Sequence, residues 1–210
     1  MFTNHPKSKT SLPALQYDSP EALNRIIAQW QRPLLDFAYR YTQNFADAQD
    51  LVAETFVSLH QQRARLRADT NLSAWLFTAL TNRCHNHYRW KRRHPIVGME
   101  FDADLHPSPE AAPNASFAQK ETLGLLRKAI DALPHELKVT VLLHHYEHLS
   151  YREIAGITGC SERGVETRLY RAKQQLKKDL SGVLTETPSV IQVQMHTLRG
   201  TGENPSPAQP

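Results

Sequence analysis

A chain of 210 residues has room for one large domain or two small ones. Its apolar share of 40% suffices for compact cores, yet no run approaches the roughly 18 apolar residues that a membrane helix needs. The net charge of +4 is modest, but between Arg63 and Arg93 eight basic residues face one acid, Asp69, which points to a polyanionic partner.

Residues 1–20 hold three prolines and small polar residues, and are expected to be a flexible N-terminal segment. They carry no apolar signal-peptide core, so a cytoplasmic protein is expected. Helical spacing begins near Glu21, where Leu23, Ile26, Ile27 and Trp30 recur at three and four residues. Pro33 predicts a fresh start, with Leu34, Leu35, Ala38, Tyr39 and Tyr41 beyond it. In "NFADAQDLVAETFVSLHQ", Asp47 is the expected N-cap and Asp50 an acid in the first turn. Leu51, Val52, Thr55, Phe56 and Leu59 then share one face. A polar, basic loop spans 63–71, and a long helix is predicted from Leu72 to Arg93, stopped by Pro95.

Four prolines in 95–114 predict a linker, set at 95–115. Periodicity resumes near Ser116, with Leu123, Leu126, Ile130 and Leu133 in one stripe. Pro134 fits the first turn of another helix. Ser150 and Glu153 form an S-x-x-E capping box, Gly159 occupies a turn, and Ser161 can cap the last helix. Residues 183–210 are expected to be a disordered tail. The fold class is all-α, with two small helical domains at 21–94 and 116–182.

Residues 150–178 predict a helix-turn-helix. At about 100° per residue, Val165, Leu169, Ala172 and Leu176 gather on one side of the last helix. Arg163, Thr167, Tyr170 and Gln174 gather opposite, flanked by Glu166 and Arg171. A recognition helix needs one packed face and one face of long donors for the major groove. Arg163 and Arg171 can reach phosphate or guanine edges, and Thr167 can meet a thymine methyl. Small Ala155 allows close approach of the two helices. A plain amphipathic surface helix would share the stripe but would not require the cap, the Gly turn and the basic face together.

The stretch "NLSAWLFTALTNRCHNHYRWKRRH" sets apolar residues at helical spacing before Asn82, Asn86, Tyr88, Arg89, Trp90 and a basic end. Aromatics interleaved with Arg suit single strands, because rings stack on bases while Arg holds backbone. The alternative is a core helix with a solvated basic end; Trp75 and Leu76 are expected in the core, Trp90 is not.

Cys84, His85 and His87 crowd together, and His144 and His148 stand at helical spacing, but no second pair completes a metal site. Two cysteines without framework spacing fit a reduced, intracellular chain. No catalytic motif is present, so no catalytic residue, metal or cofactor is assigned and no enzyme is expected.

An acidic amphipathic helix, a basic-aromatic helix, a proline-rich linker and a helix-turn-helix, in that order, resemble the extracytoplasmic-function (ECF) sigma factors of bacterial RNA polymerase. The carriers are "ADAQDLVAETFVSLH", "SAWLFTALTNRCHNHYRWKRR" and "ALPHELKVTVLLHHYEHLSYREIAGITGCSERGVETRLYRAKQQL". The resemblance spans residues 22–181. It implies that Asp50, Leu51, Glu54, Thr55, Phe56 and Val57 form a face for core RNA polymerase. It implies that the loop 63–71, with Arg63, Arg65, Arg67 and Asn71, captures a flipped −10 base. Asn82, Asn86, Arg89, Lys91 and Arg92 would hold the opened strand, and a pocket could recover the few kcal/mol that flipping costs. Arg163, Glu166, Thr167, Tyr170, Arg171 and Lys173 would meet the −35 duplex of promoter DNA. An anti-sigma factor that clamps the two domains is also implied as a partner. Ala53, His60 and Glu166 depart from the residues common in the family at those positions.

Two other classes compete. A free-standing helix-turn-helix regulator would need dimer symmetry, and no dimer helix is evident. A protein-interaction adaptor would leave Arg163, Thr167 and Arg171 dispensable.

Overall fold

The computed structural model describes residues 20–67, 69–94 and 117–181. The expected linker, the expected tail and all of the N-terminal segment but Pro20 lie outside them. Among the described residues there are seven α-helices, one 3-10 turn and no strand.

Helix α1 spans Pro20–Thr42, with Pro33 inside it rather than at a break. Proline removes one helical hydrogen bond there. Ile26, Trp30, Leu34, Phe37 and Tyr41 all point into one core, so packing of both halves overrides the local break. Gln43, at φ 53°, turns the chain in the left-handed region. Helix α2 spans Phe45–Gln62, and its N-cap is Asn44, not Asp47. The Asn44 side chain accepts from the Asp47 N–H at 2.9 Å. The helix starts three residues earlier than the acid pattern indicates, which frees the Asp47 carboxylate for other partners. After the 3-10 turn Arg63–Arg65, helix α3 runs Leu72–Arg93 as predicted. The three helices close on Trp30, Phe37, Leu59, Phe77 and Leu80. Phe77 meets Trp30 and Phe37 edge-on, with ring centroids 6.3 and 5.5 Å away.

Helix α4 spans Phe117–Asp131, α5 His135–His145, α6 Tyr151–Thr158 and α7 Glu162–Asp179. Pro134 is the N-cap of α5, one step before the first turn. The capping box of α6 is complete: Ser150 accepts from the Glu153 N–H, and the Glu153 carboxylate accepts from the Ser150 N–H at 2.8 Å. Gly159 ends α6 at φ +67°, and Ser161 caps α7. Ile154, Ile157, Val165, Ala172 and Leu176 pack α6 on α7.

The glycines give a paired prediction. A Cβ on Gly159 meets open space, so Gly159→Ala should cost only the backbone strain, about 1 kcal/mol. Gly156, mid-helix with equal room, should gain about 0.5–1 kcal/mol as Ala. Thermal unfolding that moves both variants in the same direction would refute this account of the turn.

Helix α5 joins the two groups. Six consecutive residues, Lys138 to Leu143, are buried, so it is covered on all sides. It packs on α6 and α7, and also on α1 and α3. The two helical units are therefore docked on each other, which their separation by a long linker does not foretell.

Candidate nucleic-acid and protein interfaces

The exposed stripe of α2 is Asp50, Ala53, Glu54 and Val57, followed by His60 and Gln61. Val57 is 54% exposed, a large apolar side chain left in solvent. Leu51, Thr55 and Phe56 are buried at 7, 0 and 9% exposure. They sit on the face that packs against α1 and α3, and the Thr55 hydroxyl donates to the Leu51 carbonyl at 2.8 Å. Of the six residues expected at a polymerase face, Asp50, Glu54 and Val57 reach the surface and the other three hold the helix in place. Arg83 from α3 reaches across to Glu54 at 3.4 Å and donates to Ser58, tying this face to the next helix.

On α3, Asn82, Asn86, Arg89 and Arg93 fall on one exposed stripe. Trp90 is 46% exposed and stacks on His94, with ring centroids 5.1 Å apart. An exposed indole among guanidinium groups is suited to stacking an unpaired base. Lys91 behaves differently. Its ammonium lies 2.8 Å from Asp47 Oδ2, which also meets His87 Nε2 at 3.3 Å. The Lys91 charge thus pins the start of α2 to the end of α3. Burial lowers the His87 pKa while Asp47 pulls it back up. Arg92 reaches the Tyr88 ring at 5.8 Å.

In the preceding loop, Arg65 and Arg67 are exposed, and Arg67 pairs with Asp69 at 3.2 Å. That pair is open to solvent and adds little stability. Arg63 donates to the His60 carbonyl. The Asn71 side chain caps α3, accepting from the Ala74 N–H at 3.1 Å. A role for Asn71 in base capture therefore competes with a structural one.

On α7, Arg163, Glu166, Thr167, Tyr170, Arg171 and Gln174 are exposed, and Lys173 is half-buried. Tyr170 is 63% exposed. Val165, Ala172 and Leu176 form the packed side, as the wheel predicts. Arg168 escaped the sequence reading. It points away from the outer face and pairs with Glu136 at 3.1 Å. No group of three metal-ligating side chains occurs among the described residues, and none of their helices is long and apolar enough to cross a membrane.

The sigma-70 region 2 model matches residues 26–94, and the sigma-70 region 4 model matches residues 123–176. RNA polymerase sigma-H factor of Pseudomonas aeruginosa is 24% identical over 179 residues, covering 82% of this chain and 93% of that protein. RNA polymerase sigma factor YlaC of Bacillus subtilis is 28% identical, covering 78% and 93%. ECF RNA polymerase sigma factor SigE of Mycolicibacterium smegmatis is 29% identical, covering 78% and 63%. Among solved structures, the sigma factor RpoE of Bartonella quintana, in complex with the anti-sigma factor NepR, has a TM-score of 0.60 at 23% identity, covering 75% of this chain and 96% of that one. CnrH, in complex with the cytosolic domain of CnrY, has a TM-score of 0.62 at 19% identity, covering 83% and 99%. The two solved chains share the fold. With region 2 and region 4 both matched, in order and on the helices that carry the two exposed basic faces, the chain belongs to the sigma-70 family as an ECF-type RNA polymerase sigma factor.

Proposed function

We propose that the chain confers promoter selectivity on core RNA polymerase in the cytoplasm and carries no active site of its own. The observation that carries this reading is one chain bearing both faces: the open strand-binding stripe on α3 and the open recognition face on α7. Residues 21–94 act as region 2 and residues 116–182 as region 4, with 95–115 between them. Asp50, Glu54 and Val57 contact the polymerase. Asn82, Asn86, Arg89 and Trp90 hold the opened −10 strand, where rings and guanidinium groups replace lost base stacking. Arg163, Thr167, Tyr170 and Arg171 read the −35 duplex, and Glu166 discourages general backbone binding by repelling phosphate. The sigma factor RpoE of Bartonella quintana was captured with the anti-sigma factor NepR, which supports an anti-sigma partner here as well.

Reconstituted run-off transcription with core polymerase and a genomic promoter library tests the reading. Defined start sites that depend on the chain are expected. Duplex binding without transcription or polymerase association would instead mark a free-standing regulator. At a mapped promoter, Arg171→Ala should weaken −35 duplex binding by about 1–3 kcal/mol. An unchanged affinity would remove Arg171 from the interface.

A further inference from the structure

Beside the apolar contacts of α2 with α3 runs a line of polar ones. Arg83, His87 and Lys91 stand four residues apart, so they form one stripe of α3, next to the exposed stripe of Asn82, Asn86 and Arg89. Arg83 meets Glu54 at 3.4 Å and donates to the Ser58 hydroxyl oxygen. Further along, Asp47 Oδ2 accepts from the Lys91 ammonium at 2.8 Å and lies 3.3 Å from His87 Nε2. The partners on α2 descend from Ser58 to Asp47 as those on α3 ascend, so the helices run antiparallel and the contacts are rungs between them. The Arg83 and His87 side chains are only 21% and 18% exposed, turned into the groove rather than to solvent. Both helix dipoles favour the second rung, because Asp47 stands in the first turn of α2 and Lys91 in the last turn of α3. Burial lowers the His87 pKa, so at neutral pH Lys91 supplies the cation of this rung.

The second rung holds the part of α3 that most needs holding. Arg89, Lys91, Arg92 and Arg93 crowd the end of this helix, and no acid stands among residues 82–94 to offset them. Like charges one turn apart weaken a helix, and helix ends open first. The last backbone bond of α3 runs from the His94 N–H to the Trp90 carbonyl at 3.0 Å. An acid reaches this turn from 44 residues earlier: Asp47.

We propose that Asp47 is a positioning residue for the opened −10 strand: by holding Lys91 and His87 it fixes the last turn of α3, and with it Arg89 and Trp90, in register with the polymerase face of α2. The inference rests on the sigma reading of α2 and α3. Asp47 lies one turn before Asp50 on α2, and Glu54, in the other rung, belongs to the polymerase face itself. A polymerase that grips α2 therefore aims α3 through the rungs. The Lys91 and Asp47 side chains are partly open to solvent, and such pairs add little stability. The effect of the rung is on direction. Without it the basic turn is free to fray, which carries the Trp90 ring away from the base it stacks on. The Lys91 charge, tied to Asp47, serves aim rather than attraction of the strand.

The test uses Asp47→Ala and the isosteric Asp47→Asn, in the full chain and in a Trp90→Ala background. Circular dichroism and thermal melts should match the parent. Amide hydrogen exchange of the free chain should quicken several-fold over residues 89–93 and stay unchanged over the core half, residues 76–80. Affinity for core polymerase should not change. Assembled holoenzyme with Asp47→Ala should bind a single-stranded oligonucleotide bearing the −10 sequence of a mapped promoter about tenfold more weakly, within what loss of one stacked base produces. In the Trp90→Ala background the same change should cost less than about twofold, because the ring that Asp47 positions is already gone. Equal losses in the two backgrounds, the mark of a merely structural role, overturn the proposal, and so does unaltered exchange over residues 89–93. Weaker polymerase binding overturns it too, by making Asp47 a direct polymerase contact. If Asp47→Ala does not fold, Asp47→Asn, which keeps the shape and loses the charge, carries the same comparisons. A parent holoenzyme that binds no −10 strand sinks the sigma reading of α3 and the positioning role with it, while exchange in the free chain still reports the rung separately.

Discussion

A Phe77→Ala chain should lose about 3–5 kcal/mol from the stability of the α1–α3 unit. Phe77 is fully buried and wedged edge-on between Trp30 and Phe37. Truncation would remove a ring from the contact point of α1 and α3, and both flanking rings would line the cavity. The core is close-packed by helices anchored at Leu34, Leu59 and Leu80, so collapse into the void is limited. Thirteen residues along the same helix, Trp90 is 46% exposed and stacks on His94. Trp90→Ala should leave stability within about 0.5 kcal/mol of the parent. Urea unfolding of the two variants settles the division of α3 into a core half and a presenting half. A Phe77 cost under 1 kcal/mol, or a Trp90 cost to match it, would mean that the division is drawn in the wrong place.

Asp50→Arg combined with Val57→Arg should weaken binding to core polymerase by about 2–4 kcal/mol, roughly thirtyfold to a thousandfold, with no loss of stability. Both side chains lie on the open stripe of α2, and neither contributes to the core. The reversal of charge at Asp50 and the loss of an exposed apolar group at Val57 act on the same patch. Phe56→Ala has the opposite character. At 9% exposure it belongs to the core, and its truncation should cost stability first, by about 3–5 kcal/mol. Competition binding alongside thermal melts separates the two. Full affinity in the double variant would move the polymerase contact off this stripe.

Much of this protein is legible in one dimension. The span of α3, the capping box at Ser150 and Glu153, the turn at Gly159 and the cap at Ser161 follow from patterns of a few neighbouring residues. Such features depend on local hydrogen bonding and dihedral preference, which act over one helical turn. The two faces of α7 follow from periodicity alone, because a helix converts spacing directly into direction. The order of the motifs was enough to suggest the family.

Other features required the folded chain. Motif spacing placed six residues of α2 at one interface, but only packing against α1 and α3 shows that Leu51, Thr55 and Phe56 face inward. Pro33 signals a break, and α1 runs through it because a common core holds both halves. Lys91 reads as a strand-binding cation until Asp47, 44 residues earlier in the chain, is found beside it. The seam between the two units, around Tyr41, His135 and Lys138, leaves no mark in any window of sequence, since its partners stand nearly a hundred residues apart. Its one local trace is α5, whose buried residues run unbroken from Lys138 to Leu143, as in a helix with neighbours on every side. Local rules decide which segments are helices and which way their stripes point. Which stripe meets which partner is a matter of long-range complementarity, and that exists only once the chain is folded.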